Sequence, residues 1–150
     1  MTRKYHELVG ALYGDIKPPV FHAEHVKPKV VRSEYDECLT FWDWLQWHPK
    51  TREVSLHVAN EGVRSQGYAQ KLKRIGGLPR GFPDFAILLA NKTYHSLFIE
   101  MKRTNANKQK QRPEQVRWLE ILQRYGHFAT FAFGSDDAIQ ITELYLHDKV

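Results

Sequence analysis

Between Gly81 and Arg103 the chain reads GFPDFAILLANKTYHSLFIEMKR, two apolar runs separated by a polar break near Asn91-Lys92. Short runs rich in Phe, Ile and Leu suit buried strands, and the break suits a turn between them. Three residues do not fit simple burial: Asp84 enters the first run, and Glu100 and Lys102 sit inside the second. Side chains alternate across a strand, so Glu100 and Lys102 share one face while Ile99 and Met101 take the other. A hairpin turning near Asn91 returns the Glu100 end of the second strand beside Asp84. The expected result is two carboxylates and one ammonium at one edge of a sheet.

Close carboxylates repel, and burying them is costly unless a cation occupies the gap. Two oxygen ligands, completed by waters and substrate phosphates, suit Mg²⁺. A phosphodiester is the natural substrate for such a centre, because the metal polarises it and helps make hydroxide from water. Lys102 then either orients or deprotonates the water or stabilises the transition state. Taken alone, Asp84 after Pro83 equally begins a turn, and Glu100 with Lys102 equally forms an ion pair on a solvated strand.

Around this hairpin the chain divides into an arm, 1–31, and a domain, 32–150. The arm carries Pro18, Pro19 and Pro28 among lysines and histidines, which disfavours regular structure. His22 and His25 could share a helical face there, but the prolines and the absence of nearby cysteines argue against zinc. A helix is expected from Ser33, capped with Asp36, with Cys38, Phe41, Trp42 and Leu45 as its apolar stripe. On a helical wheel Glu34 falls mid-stripe and Glu37 on the rim. Val54 to Val58 alternates as a strand closed by the turn Asn60 to Gly62, and a short basic helix runs on to Gly76 and Gly77. Pro113 suits a helix start, with Val116, Leu119, Ile121 and Leu122 as the buried face until Gly126. HFATFAF is a fourth strand, and Ser135 is expected to cap a last helix. A three-strand meander followed by a helical crossover makes a mixed α/β sheet flanked by helices.

At this point the motifs resemble a known family. Pro83-Asp84, fifteen residues, then Glu100-Met101-Lys102 is similar to the PD-(D/E)xK nuclease signature. Asn60 to Gly62, Gly81 to Asp84, Ile99 to Arg103 and PEQVRWLEILQRYG (Pro113 to Gly126) resemble the VRR-NUC group within it. The resemblance spans about residues 33–146 and implies a restriction-endonuclease-like core of order αβββαβ. It implies a metal set of Asp84, Glu100 and Met101, with Lys102 as the catalytic lysine. Gln115 matches a glutamine close to the active centre in this family, and Glu34 resembles the acid of its first helix. Cys38 departs from the pattern where a glutamine is common, and Ser96 where a glycine is. Stand-alone members occur widely in bacteriophages and look like dimeric junction resolvases. The resemblance therefore implies a Mg²⁺-dependent endonuclease, with Mn²⁺ as substitute, acting as a homodimer on branched DNA. A flap, nick or duplex nuclease, or a silent nucleic-acid-binding module, are the alternatives.

The charge balance agrees without deciding the matter. Lysines and arginines number 22 against 17 acids, a net +5, which mildly favours a polyanionic partner. Arg64, Lys71, Lys73, Arg74 and Arg80 precede the acidic site, and Arg103, Lys108, Lys110 and Arg112 follow it. An enzyme acting on DNA needs such basic flanks, although a solvated loop would also be basic. Trp42, Trp44, Trp47 and Trp118 are expected as core or subunit contacts rather than base-stacking platforms. The single cysteine excludes an internal disulfide framework and fits a reducing cytoplasm. No long apolar span appears, so membrane insertion is not expected.

Overall fold

A computed structural model describes residues 31–59, 65–77, 79–108 and 110–150. The arm up to residue 30, His22 and His25 with it, the Asn60 to Gly62 turn and Arg64 lie outside the described residues. In chain order the described elements are α1 (Glu34–Trp47), β1 (Ser55–His57), α2 (Gln66–Arg74), β2 (Phe85–Ile87), β3 (Leu97–Lys102), α3 (Pro113–Arg124), β4 (Phe128–Phe133) and α4 (Ser135–Leu146).

The helix ends follow local chemistry. Ser33 caps α1 by accepting the Asp36 N–H, and Asp36 reaches back to the Ser33 N–H. That reciprocal box satisfies two of the donors that a helix start leaves open. Ser65 caps α2 by accepting the Tyr68 N–H, and Pro113 occupies the first turn of α3, where a missing N–H does no harm. The expected cap by Ser135 is corrected: the N-cap of α4 is Gly134, at φ 99°, and Ser135 is the first helical residue. Its N–H and hydroxyl instead donate to the Glu37 carboxylate of α1, both at 2.8 Å. A carboxylate from another element thus does the capping, favoured by the positive end of the helix dipole.

The sheet order is β1-β2-β3-β4, antiparallel across the first two pairings and parallel across the last. This is the meander and crossover expected from the sequence. On one face α1 and α4 bury Phe41, Leu45, Ile141 and Tyr145 against Phe85, Ile87, Leu97, Ile99 and Met101. On the other α3 packs Leu119 and Leu122 on Ala86, Phe98, Ala129 and Phe131. Val116 and Ile121 are only half-buried, and Gln115 takes a buried place on α3 instead. Each fully buried apolar side chain contributes about 1.5–3 kcal/mol. Strand β3 lies between two neighbours, so its alternation is fixed on both faces. Leu97, Ile99 and Met101 fill the first core, and Phe98 fills the second. Glu100 and Lys102 must therefore continue the α3 face, where the apolar packing runs out.

Candidate active site

Pairing of β2 with β3 stops at Phe85 opposite Ile99. One residue earlier the Asp84 carboxylate takes over, accepting the Met101 N–H at 2.9 Å. The Asp84 carbonyl is held on its other side by the Val58 N–H, at 2.7 Å. Asp84 is thus fixed between two strands by side chain and backbone together. The hairpin joins Asp84 and Glu100 as the sequence anticipated.

Glu100 is only 3% exposed. Its Oε1 accepts from Lys102 Nζ at 2.8 Å and from the Gln115 side-chain amide. The Gln115 orientation follows from that contact, since the N–H₂ end must face the carboxylate. The Gln115 oxygen is left buried without a partner among the described residues. Burial pushes the Glu100 carboxyl up to about 8, helped by the negative charge of Asp84 and opposed by Lys102. One ammonium does not balance two close carboxylates in so dry a place.

Met101 divides into two parts. Its side chain is wholly buried in the α1 core, so its thioether is out of reach of the acids. Its backbone is not. In a strand the N–H and C=O of one residue point to the same side, so the Met101 carbonyl points the way of its N–H, toward Asp84. Pro83, next along the chain, has no N–H with which to cover it. Asp84, Glu100 and the Met101 carbonyl are three oxygen donors of the hard type that Mg²⁺ takes. With the excess negative charge and the unpartnered Gln115 oxygen, the residues fit a divalent cation.

The GFPD turn holds this arrangement against α3. Gly81 has φ 79°, and a Cβ there would lie 2.7 Å from the Glu114 carbonyl carbon and 2.9 Å from the Gln115 nitrogen. Only glycine allows the turn so near the start of α3. Trp118 donates to the Arg80 carbonyl at 3.1 Å, and its ring meets Phe82 edge-on at 5.1 Å. Trp118 is a brace between turn and helix, as its reading as a packing residue implied.

The first helix corrects the sequence reading. Glu37 is the buried acid, 3% exposed, whereas Glu34 is exposed. Besides Ser135, Glu37 accepts from the Thr104 hydroxyl at 2.9 Å. The stripe is Glu37, Phe41 and Leu45, rolled away from the Cys38–Trp42 side because α4 donates hydrogen bonds to Glu37. Glu34 remains beside the site: it lines, with Cys38 and Asp84, a pocket that adjoins the acids. Burial, then the charges of Asp84, Glu34 and Glu100, push the Cys38 thiol up to about 12, which keeps it neutral.

Of the basic candidates, Lys71, Lys73 and Arg74 are exposed on α2, which buries none of its residues. Arg80 is exposed on the GFPD turn and pairs with Glu114 at 3.4 Å. Arg103 directly follows Lys102, and Lys108, Lys110 and Arg112 stand exposed on the connection into α3. The contacts that join Glu37 to Thr104 and Ser135 were missed by sequence reasoning.

A sequence profile of the VRR-NUC domain matches residues 24–136 of the 150. The chain belongs to the VRR-NUC family. A solved structure, a VRR-NUC domain protein, is 25% identical, with a TM-score of 0.64, and the match covers 77% of this chain and 89% of that one. No curated protein matches it. The VRR-NUC fold is thus shared, and the family is one of nuclease domains. No helix among the described residues is long and apolar enough to cross a membrane.

Proposed function

We propose that this VRR-NUC chain is a Mg²⁺-dependent DNA endonuclease of the PD-(D/E)xK type. We further propose that it is selective for branched DNA such as Holliday junctions and acts as a homodimer in a reducing cytoplasm. The observation that carries the reading is the meeting of the Asp84 carboxylate, bound to the Met101 N–H, with the Glu100–Lys102 pair at one end of the sheet. Asp84, Glu100 and the Met101 carbonyl would hold the metal, with Mn²⁺ as an alternative occupant. The bound ion supplies Lewis-acid polarisation of the phosphodiester and a more acidic water.

The chain's own groups do the rest. Lys102, paired to Glu100, would offset the negative charge that gathers on the phosphate in the transition state. Its ammonium is only 14% exposed along the side chain, so that charge is weakly screened. Gln115 keeps the Glu100 carboxylate in one orientation. Glu34, which lines a pocket with Asp84 on the α1 side, would orient water. Lys71, Lys73, Arg74, Arg80, Arg103, Lys108, Lys110 and Arg112 are exposed cations for the phosphate backbone, whose contacts position DNA without reading its sequence. A silent binding module would have no use for acids, lysine and glutamine held together in this way.

The test is a cleavage panel of four-way junction, flap, nicked duplex, linear duplex and single strand with Mg²⁺. The junction should be cut fastest, and chelation should stop it. Preference for the flap or nick would reassign the substrate, and no metal-dependent cutting of any of them would remove the nuclease reading.

A further inference from the structure

Next to Asp84 the surface opens into a pocket of about 820 Å³ between the first half of α1 and the edge strand β1. Tyr35, Leu39, Trp42 and Leu56 form its apolar walls, and Glu34 and Asp84 its acidic rim. No lysine or arginine among the described residues lines it. Tyr35 is 73% exposed, and Leu39 and Leu56 are about half exposed, so this apolar surface is open to solvent.

These features discriminate between parts of a nucleotide. Away from Asp84 the described lining gives a phosphate the Glu34 carboxylate and, besides His57, no basic side chain, so an uncharged group is favoured over the backbone. A base is planar, uncharged and apolar on its faces, and aromatic side chains stack on any base. Pockets of roughly 300–1,000 Å³ enclose small ligands, so this one has room for a heterocycle. The exocyclic amines of bases can donate to a carboxylate, as they do to acidic side chains in a groove, and Glu34 stands at the rim to accept. Because Asp84 borders both the pocket and the acid site, a base held here belongs to a nucleotide adjoining the reacting phosphate. Within a duplex that base is paired and stacked on both sides, whereas a pair at a branch point opens more readily and a base at a single-strand end is already unpaired, so either can turn out of the helix at lower cost.

We propose that the pocket between α1 and β1 takes an unpaired nucleobase from the nucleotide beside the scissile phosphate. The inference rests on the nuclease reading and deepens it, since it ties selectivity for branched DNA to a physical receptor for the unpaired base.

The experiment uses a fluorescein-labelled four-way junction in which single abasic residues are scanned through the positions nearest the branch. Binding is measured by anisotropy in EDTA for the wild type, Leu56→Trp, which fills the pocket, and Tyr35→Ala, whose exposed residue can be lost without disturbing the core. In the wild type, one abasic position should weaken binding by roughly 5- to 150-fold, the size of one base–aromatic stacking interaction. In both variants the intact junction should already bind more weakly, and the same abasic position should cost little more. No sensitive position in the wild type, or equal sensitivity in all three proteins, overturns the pocket. Cleavage of the intact junction with Mg²⁺ is read separately. A protein that cuts but shows no sensitive position keeps the nuclease reading and loses this one.

Discussion

Glu100 is the residue at which stability and chemistry conflict. Its carboxylate is buried beside Asp84, an arrangement that a fold selected for stability alone would avoid. Asp84→Asn keeps an acceptor for the Met101 N–H and removes the like charge. The expected outcome is loss of cleavage by at least about 100-fold with a metal-free melting temperature no lower than the wild type. Cleavage assays and calorimetry with and without Mg²⁺ check both halves, and Glu100→Gln should also lose cleavage. In both variants DNA affinity at one salt concentration should be largely retained if, as proposed, the basic flanks contact the phosphates. Full activity in either would sink the site assignment. Lys102→Ala should lose turnover severely while metal titration still shows binding, because an ammonium is not a ligand. Near-normal turnover would reduce Lys102 to a strand charge.

At the scale of elements, two contacts hold the site in shape. The GFPD turn meets α3 at Gly81, where φ is positive and a Cβ would collide with backbone. Gly81→Ala should destabilise by about 2 kcal/mol or more, lowering the melting temperature by roughly 5 °C. It should also slow cleavage below that temperature, because Gln115 is displaced from Glu100. Unchanged melting would show that the turn can relax away from α3. The second contact is Glu37, which joins α1 to Ser135 and Thr104. Burial alone would raise its carboxyl, but the Ser135 and Thr104 hydrogen bonds and the charge of Arg32 bring it below the usual range. A carboxyl lowered by folding stabilises above its unfolded pKa, and that stability is lost as pH falls through the folded value. The wild type should therefore weaken on acidification below about pH 4.5 more steeply than Glu37→Gln. Parallel pH curves would mean the carboxylate charge is not what the N-terminus of α4 uses.

For the whole molecule the open question is how many sites meet one DNA. Resolving a four-way junction needs two strands cut at related positions, and a two-fold dimer provides two sites of matching geometry. Trp47, at the end of α1, is 85% exposed, whereas Trp42 and Trp44 pack against the core. We expect light scattering to give a dimer mass and Trp47→Ser to shift it toward monomer. Mixtures of wild-type and Asp84→Asn subunits should then leave junctions cut on one side only. A protein that stays monomeric on junction DNA would promote the flap or nick nuclease.

Local rules were enough to find the elements. The Ser33-Asp36 box, Pro113, the apolar runs and the period-two placement of Glu100 and Lys102 depend only on neighbours in the chain. So did the pairing of Asp84 with Glu100, because one short hairpin sets its register. The roll of α1 was different. Glu37 and Glu34 are close on a helical wheel, and only the donors of α4, ninety-eight residues away along the chain, decide which acid is buried. The Gly81 approach to α3 and the pocket beside Asp84 are likewise distances between elements. Periodicity tells which face a residue takes. What waits on that face is settled only when the elements pack.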